Sequence, residues 1–182
     1  QFGNFHLVPE GGANYYGVMG CMEIAKELDV QPDFFATSAG TGTTATGLLL
    51  SATQHQKVMV FSGLKGGEFL KDDIKHLINY TTYNSEDTDD ILQHLNLITD
   101  YHFGGFAKIT PELVEFANAF YRQFQIPLDL IYASKLFYGL FDLIRKNQFK
   151  PHSKIVALHT GGLQGNKGFS AQMKKLGVKL DY

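Results

Sequence analysis

The chain has 182 residues, of which 44% are hydrophobic and 19% are charged, and its formal net charge is -2. This length and composition predict a single globular domain with its own core, and the near-neutral charge argues against nucleic acid or an acidic membrane as a partner. The single cysteine, Cys21, excludes an intramolecular disulfide and a cysteine-cluster metal site. The compositional outlier is glycine, with 19 residues.

The start of the chain does not resemble a targeting signal. It lacks the basic and long apolar regions of a signal peptide, and no apolar run approaches the ~20 residues of a membrane span. We therefore expect a reducing, cytoplasmic location. Because the sequence begins with Gln1 rather than methionine, we expect either a fragment or a preceding segment outside this sequence.

Short apolar strands alternate with helical patterns along the chain. Strands are predicted at residues 5–8, 33–37, 57–61 and 154–159. Helices are predicted at residues 16–28, 43–53, 69–78, 111–124 and 134–146, and the acidic run 86–90 is typical of a helix start. Thr110 is the expected N-cap of the fourth helix, with Pro111 at its first position, and Ser134 is the candidate cap of the fifth.

The repeated order of strand, glycine-bearing turn and helix is typical of an α/β fold with a parallel sheet. The predicted strands are continuously apolar, which predicts helices on both faces: a three-layer sandwich with a mostly parallel sheet. In such sheets ligands bind beyond the carboxyl ends of the strands. Glycine clusters at residues 11–12, 40–47 and 161–162 fall at such ends. Tight turns would explain one or two of them, but three on one edge favour a ligand site.

The segment from residue 37 to residue 47 is the candidate phosphate-binding loop. The first N–H groups of a helix are unpaired and carry about half a positive charge, glycine lets a phosphate approach the backbone, and hydroxyls add donors. The alternative is a small-residue turn packed against a neighbouring strand. The hydroxyl-bearing residues of the segment are Thr37, Ser38, Thr41, Thr43, Thr44 and Thr46.

Two nucleotide-binding motifs are incomplete at this loop. Gly42 and Gly47 have the spacing of a Walker loop, but two leucines follow where lysine and serine or threonine are needed. Residues 40, 42 and 45 fit the dinucleotide fingerprint, but residues 57–64 contain no acidic residue to bind a ribose. The loop therefore predicts an anion site, with phosphate the favoured ligand.

Other reactive groups give weaker signals. The seven histidines lack zinc-ligand spacing, so no metal site is predicted, and the Gly-x-Ser-x-Gly elbow of serine hydrolases is absent. His159 is expected to pack at a strand end, Cys21 to fill an apolar helix face, and Lys65 to be a solvated surface cation. Tyr132 is either an acid–base group facing a ligand or a core tyrosine, and its local sequence favours the core.

Four segments together resemble one family, the pyridoxal-phosphate enzymes that include 1-aminocyclopropane-1-carboxylate deaminase and D-cysteine desulfhydrase. Each motif is weak alone, but the four in register span nearly the whole chain. The resemblance implies the large cofactor domain of the fold type II enzymes, which are similar to tryptophan synthase β. The segments are Val-Pro-Glu-Gly-Gly-Ala-Asn at 8–14, the loop at 38–47, Leu-Asp-Leu-Ile-Tyr-Ala-Ser-Lys at 128–135, and His-Thr-Gly-Gly at 159–162.

The resemblance also implies roles for individual residues. Tyr132 would be the catalytic residue near the substrate and the cofactor ring, which reverses the local interpretation, and Thr160 would approach the pyridine nitrogen. The enzyme, a lyase or hydrolase acting through pyridoxal 5'-phosphate, would convert D-cysteine or the cyclopropane amino acid to a 2-oxo acid and ammonia. A homodimer is possible in such a protein. The cofactor phosphate would be held by Ser38, Gly40, Thr41, Gly42, Thr43 and Thr44.

The chain departs from the family pattern in three ways. Ala133 stands where the deaminases carry glutamate and Phe106 where they carry tyrosine. With Ala133 and Thr160 together, the site is more similar to the desulfhydrase branch. The family's Schiff-base lysine belongs to an N-terminal segment that these residues do not include, and none of the 14 lysines fits its role. We therefore expect the chain alone to be inactive, as part of a larger enzyme. The alternative is a non-catalytic anion-binding module on the same fold.

Overall fold

The computed structural model describes residues 3–83 and 87–182. Three short 3-10 helices accompany the main elements, at Glu10–Gly12, Gly67–Phe69 and Leu163–Phe169. The main elements of the described residues are α1 (Tyr15–Lys26), β1 (Phe34–Ala39), α2 (Thr43–Ser51), β2 (Lys57–Ser62), α3 (Leu70–Thr82), α4 (Thr88–Leu92), β3 (Leu95–Ile98), α5 (Pro111–Phe124), α6 (Ala133–Arg145), β4 (Ile155–Ala157) and α7 (Ser170–Leu176).

The four described strands form one parallel sheet in the order β3-β2-β1-β4. This confirms the predicted α/β class and three of the predicted strands, while β3 and α7 were not predicted. Ala39, the last residue of β1, lies opposite Ser62, the last residue of β2. The loops that follow these two strands therefore leave the sheet side by side, at its carboxyl edge.

Helices cover both faces of the sheet, as the apolar strands predict. Successive residues of β2 point to opposite faces, so Val58 and Val60 pack with α2 and α3, whereas Met59 and Phe61 pack with α6. At the start of α5, the N–H of Leu113 donates to Thr110 Oγ1 at 3.2 Å, which confirms the predicted cap. The three-layer arrangement leaves the carboxyl edge of the sheet accessible to a ligand.

The strand predicted at residues 5–8 is wrong. This segment has no strand conformation, and Phe5 and Leu7 are 71% and 75% exposed. A buried strand needs a hydrogen-bonded neighbour and a covering layer, and the described sheet takes its four strands from elsewhere in the chain. The acidic helix start is confirmed from Thr88 onward, while Glu86 lies outside the described residues.

Across residues 3–83 and 87–182, no helix is long and apolar enough to cross a bilayer.

Candidate active site

A cavity of about 300 Å³ lies where β1 ends and α2 begins. It brings all eight of the predicted site residues together, although the first and last of them, Ser38 and Thr160, are 122 residues apart in sequence. Their chemical roles remain predictions. The lining consists of Ser38, Gly40, Thr41, Gly42, Thr43, Thr44, Tyr132 and Thr160, together with Glu10, Gly11 and Ala39.

The loop from β1 to α2 requires glycine at position 42 and is closely packed against a side chain at position 40. Gly42, the N-cap of α2, has a φ of 81°, in the left-handed region that side chains other than glycine rarely adopt. A Cβ at Gly42 would lie 2.8 Å from Cγ1 of Ile74, and a Cβ at Gly40 would lie 2.7 Å from the hydroxyl of Tyr132. The small-residue alternative is therefore correct in part: the loop packs tightly, against α3 and Tyr132 rather than a strand.

The donors available to an anion are hydroxyls and backbone N–H groups. The hydroxyl oxygens of Thr41 and Thr43 lie 3.1 Å apart, and the first N–H groups of α2 have no acceptor within the helix. Thr37 and Thr46 do not contribute, because both are fully buried and their hydroxyls donate to the carbonyls of Ser38 and Gly42. Four of the six hydroxyls predicted in this segment thus line the cavity.

The cavity contains little charge. Among the described lining residues, Glu10 carries the only carboxyl side chain, and no lysine, arginine or histidine is present. An anion here would be held by hydrogen bonds and by the positive end of the α2 dipole rather than by an ion pair. No group of three or more potential metal ligands occurs in the described part of the chain.

Asp129 fixes the backbone at Tyr132. Its carboxylate, 2% exposed, accepts hydrogen bonds from the N–H groups of Ile131 at 2.9 Å, Tyr132 at 2.7 Å and Ala133 at 2.9 Å. Asp129 therefore caps the N–H groups that lead into α6, while the N-cap residue itself, Tyr132, makes no side-chain cap hydrogen bond; the predicted cap, Ser134, is wrong. The Ser134 hydroxyl instead donates to the carbonyl of Asp129 at 2.7 Å, because Ser134 already lies inside the first turn.

Tyr132 faces the cavity rather than the core, so the local sequence interpretation was wrong. The side chain is half-buried, and its ring lies 6.2 Å from that of Phe106, measured between centroids. Burial raises the pKa of the phenol, and the negative charges of Asp129 and Glu10 raise it further. The hydroxyl therefore stays protonated at neutral pH and can donate a hydrogen bond to a ligand.

The turn after β4 places Thr160 in the lining of the cavity. His159 Nδ1 accepts a hydrogen bond from the N–H of Gly161 at 3.0 Å, so the proton is on Nε2, which donates to the carbonyl of Pro127 at 2.8 Å. His159 thus joins two segments of the site in a structural role, as predicted, and leaves the exposed Thr160 beside the cavity.

Cys21 and Lys65 were singled out by the sequence but do not line this cavity. Lys65 is exposed, as predicted. Cys21 is half-buried rather than buried, and its thiol lies 3.8 Å from the hydroxyl of Thr44, behind the loop.

The chain resembles known proteins over most of its length. No family model matches it. It is 30% identical over 175 residues to a protein of Pyrococcus horikoshii named "Putative 1-aminocyclopropane-1-carboxylate deaminase", a match that covers 94% of this chain and 53% of the relative. It is 28% identical over 178 residues to the "Bifunctional D-cysteine desulfhydrase/1-aminocyclopropane-1-carboxylate deaminase, mitochondrial" of Arabidopsis thaliana, covering 88% and 42% of the two chains. The predicted family resemblance is confirmed.

A solved structure supports the same relationship. The chain superposes on the crystal structure of an ACC deaminase homologue with a TM-score of 0.77 and 29% identity, covering 93% of this chain and 53% of that one. The parallel sheet flanked by helices therefore matches the fold of the ACC deaminase homologue. The chain spans about half the length of the curated relatives it matches.

Lys135 is the polar residue that the sequence analysis left without a role. It lies in the first turn of α6 and is 1% exposed, and its ammonium donates to the carbonyls of Gly63 at 3.2 Å and Gly105 at 2.8 Å. Burial lowers the pKa of Lys135 to about 8, and the charge of Asp129 opposes part of that decrease. The sequence gives no signal that this lysine is buried, because the two carbonyls that its ammonium contacts are distant in sequence.

The lowered pKa of Lys135 predicts a pH-dependent stability. The unfolded chain regains the ordinary lysine pKa of 10.5, so between pH 8 and 10.5 it binds this proton more tightly than the folded protein does. Stability therefore rises with pH, and Lys135 contributes an increase of about 2 to 3 kcal/mol between about pH 7 and 10. Urea unfolding of the protein and of Lys135→Met at both pH values measures it: the difference between the two proteins should change by that amount. A difference that is constant with pH would contradict the lowered pKa.

Proposed function

We propose that the chain forms the cofactor-binding domain of a pyridoxal-phosphate deaminase or desulfhydrase. The substrate would be a small amino acid, D-cysteine or 1-aminocyclopropane-1-carboxylate, and the products a 2-oxo acid and ammonia. The observation that carries the proposal is a single cavity that unites an anion-binding loop, Tyr132 and Thr160. Support comes from homologues named as deaminases and as a desulfhydrase over most of this chain.

The loop fits the phosphate end of the cofactor. The Cβ atoms that Gly40 and Gly42 lack would collide with Tyr132 and Ile74, so the loop stays slim and its N–H groups stay accessible. The paired hydroxyls of Thr41 and Thr43 and the start of α2 provide neutral donors for a doubly charged group. Ser38 and Thr44 complete the lining of this part of the cavity.

The other end of the cavity fits a polar aromatic ring and a substrate. When bound, pyridoxal phosphate supplies an electron sink for the bonds around the substrate α-carbon. Tyr132, protonated at neutral pH, would donate a hydrogen bond or a proton to the substrate. The Thr160 hydroxyl would meet the pyridine nitrogen, and a neutral hydroxyl does not hold that nitrogen protonated as a carboxylate would.

A second function is favoured by one observation, that no lysine is among the described residues lining the cavity. Pyridoxal-phosphate enzymes link the cofactor to a lysine amine. Without that amine the same loop would serve as a non-catalytic anion-binding module, which is the alternative proposal. A cytoplasmic location and a homodimer also remain predictions.

Thermal unfolding with three added ligands separates the two functions. Pyridoxal phosphate at 100 times its dissociation constant should stabilise the protein by about 2.7 kcal/mol, which raises Tm by several degrees. Inorganic phosphate should protect through the loop alone, and pyridoxal without phosphate is the control that should not protect. Greater protection by pyridoxal phosphate than by phosphate supports the cofactor site. Equal protection supports the anion module, and protection by neither ligand contradicts both.

Thr160→Ala tests the ring end of the site. Removing this exposed hydroxyl should weaken binding of pyridoxal phosphate while leaving that of inorganic phosphate unchanged. The expected loss is about fivefold, as for one neutral hydrogen bond. Isothermal titration of both ligands measures it. An equal loss for both would place Thr160 at the phosphate rather than at the ring.

A further inference from the structure

Lys135 connects two separate segments of the chain through its ammonium. One acceptor, the carbonyl of Gly63, directly follows β2, and the other, the carbonyl of Gly105, belongs to the loop between β3 and α5. No ion pair of Lys135 occurs in the described parts of the chain. Burial of the ammonium costs more than the charge of Asp129 offsets, since the pKa of Lys135 is lowered overall. The contribution of Lys135 therefore lies in the segments that it joins.

Both segments lie against the ring of Tyr132. A Cβ at Gly63 would be 3.3 Å from Cδ1 of Tyr132, so the backbone at Gly63 forms one wall. Gly105 directly precedes Phe106, and the ring centroids of Phe106 and Tyr132 lie 6.2 Å apart. The Phe106 ring forms the second wall around Tyr132. Lys135 starts one turn further along α6 from Tyr132, and its ammonium therefore reaches the backbone of both walls.

We propose that Lys135 is a positioning residue, which holds the Phe106-bearing loop and the turn at Gly63 against the ring of Tyr132. This inference rests on the proposed function, because it assigns Tyr132 as the residue that is positioned. Hydrogen bonds within the loop shape it, as from the N–H of Gly105 to the carbonyl of His102 at 3.0 Å, but the Phe106 side chain, 53% exposed, does not anchor the loop against Tyr132 by burial. With the Lys135 side chain in place, Phe106 shields the phenol from water, which raises the pKa of Tyr132.

Lys135→Met tests the proposal through the pKa of Tyr132, without any cofactor. Methionine fills similar volume but donates no hydrogen bond, so the loop should separate from Tyr132 and the raised pKa of the phenol should fall toward its ordinary value. NMR of protein carrying tyrosine labelled with ¹³C at Cζ follows each phenol through its titration. Tyr182, whose pKa burial raises to about 12, is an internal reference that should not change. Lys71→Met, at an exposed lysine of α3, is the control and should leave both tyrosines unchanged.

Electrostatics alone would not produce this result. The charges facing the phenol are those of Asp129 and Glu10, and both remain in the variant. Lys135, with a pKa of about 8, is already neutral where the phenol titrates, but its neutral amine keeps two N–H donors for the carbonyls of Gly63 and Gly105. A fall in the pKa of Tyr132 therefore reports a change in shielding rather than the loss of a cation.

Phe106→Ala provides a second test that does not depend on folding of the lysine variant, because Phe106 is largely exposed. It should lower the pKa of Tyr132 as well. In the double variant the two decreases should be less than additive, since Lys135 acts in part through this loop. An unchanged pKa in either single variant, or additive decreases in the double variant, would overturn the proposal. Because these titrations contain no ligand, they remain decisive if the thermal experiment shows that pyridoxal phosphate does not bind.

Discussion

Gly42→Val is expected to abolish protection by phosphate and to lower the free energy of unfolding by about 4 kcal/mol. Valine has to adopt a φ of 81° at the N-cap of α2, and its Cβ would lie 2.8 Å from Cγ1 of Ile74. Because Ile74 is fully buried on α3, relief has to come from the loop, which carries the donors of the predicted anion site. The displaced loop would therefore account both for the lower stability and for the loss of phosphate binding.

Gly177→Val is the matched control for this variant. Gly177 also has a positive φ, of 68°, but a Cβ there would meet nothing within 4 Å, and the residue ends α7 away from the cavity. In the control, only the strain of a side chain at positive φ should lower the free energy of unfolding, by about 1 to 2 kcal/mol. Phosphate should still protect this variant. Urea unfolding and thermal shifts with phosphate measure both effects. A Gly42→Val protein that phosphate still protects would contradict the assignment of the loop.

The parts of the fold that the sequence predicted are those with a local signal. Apolar segments followed by glycine indicated β1, β2 and β4, and Thr110 with Pro111 indicated the start of α5, because capping and turn chemistry act over three or four residues. The loop predicted to bind an anion has a local signal of the same kind. The family resemblance then connected this loop with Tyr132 and Thr160, which no local pattern relates.

The errors occur where distant contacts decide the structure. Residues 5–8 have the composition of a strand, but a strand exists only when a neighbour pairs with it. The short β3 was missed because its strand character depends on pairing with β2, where Val58 lies opposite Leu95. Lysine is usually a surface residue, but Lys135 is buried because its ammonium binds carbonyls that lie 72 and 30 residues away in sequence. Tertiary contacts override propensity at each of these positions.

Asp129→Ala is expected to lower the free energy of unfolding by about 4 kcal/mol, because three N–H groups, one buried and two partly buried, lose a charged acceptor together. The carboxylate is 2% exposed, so water cannot readily replace it. A sequence signal was present, since aspartate favours helix N-termini, but the serine five positions later competed with it. The variant should also loosen the backbone of Tyr132, whose N–H gives the shortest of the three hydrogen bonds to this carboxylate.

Ser134→Ala distinguishes the two candidate caps. Its hydroxyl donates one hydrogen bond to a backbone carbonyl, so its removal should cost about 1 kcal/mol, well below the cost of Asp129→Ala. Asp129→Asn should fall between the two, because one of its side-chain atoms becomes a donor facing another donor. Urea unfolding at constant pH ranks the three variants. The reverse order, with Ser134→Ala the most damaging, would restore serine as the cap. The expected order, with Asp129→Ala the most damaging, would show that the start of α6 depends on a single buried carboxylate. The placement of Tyr132 beside the candidate anion loop would then depend on the same group.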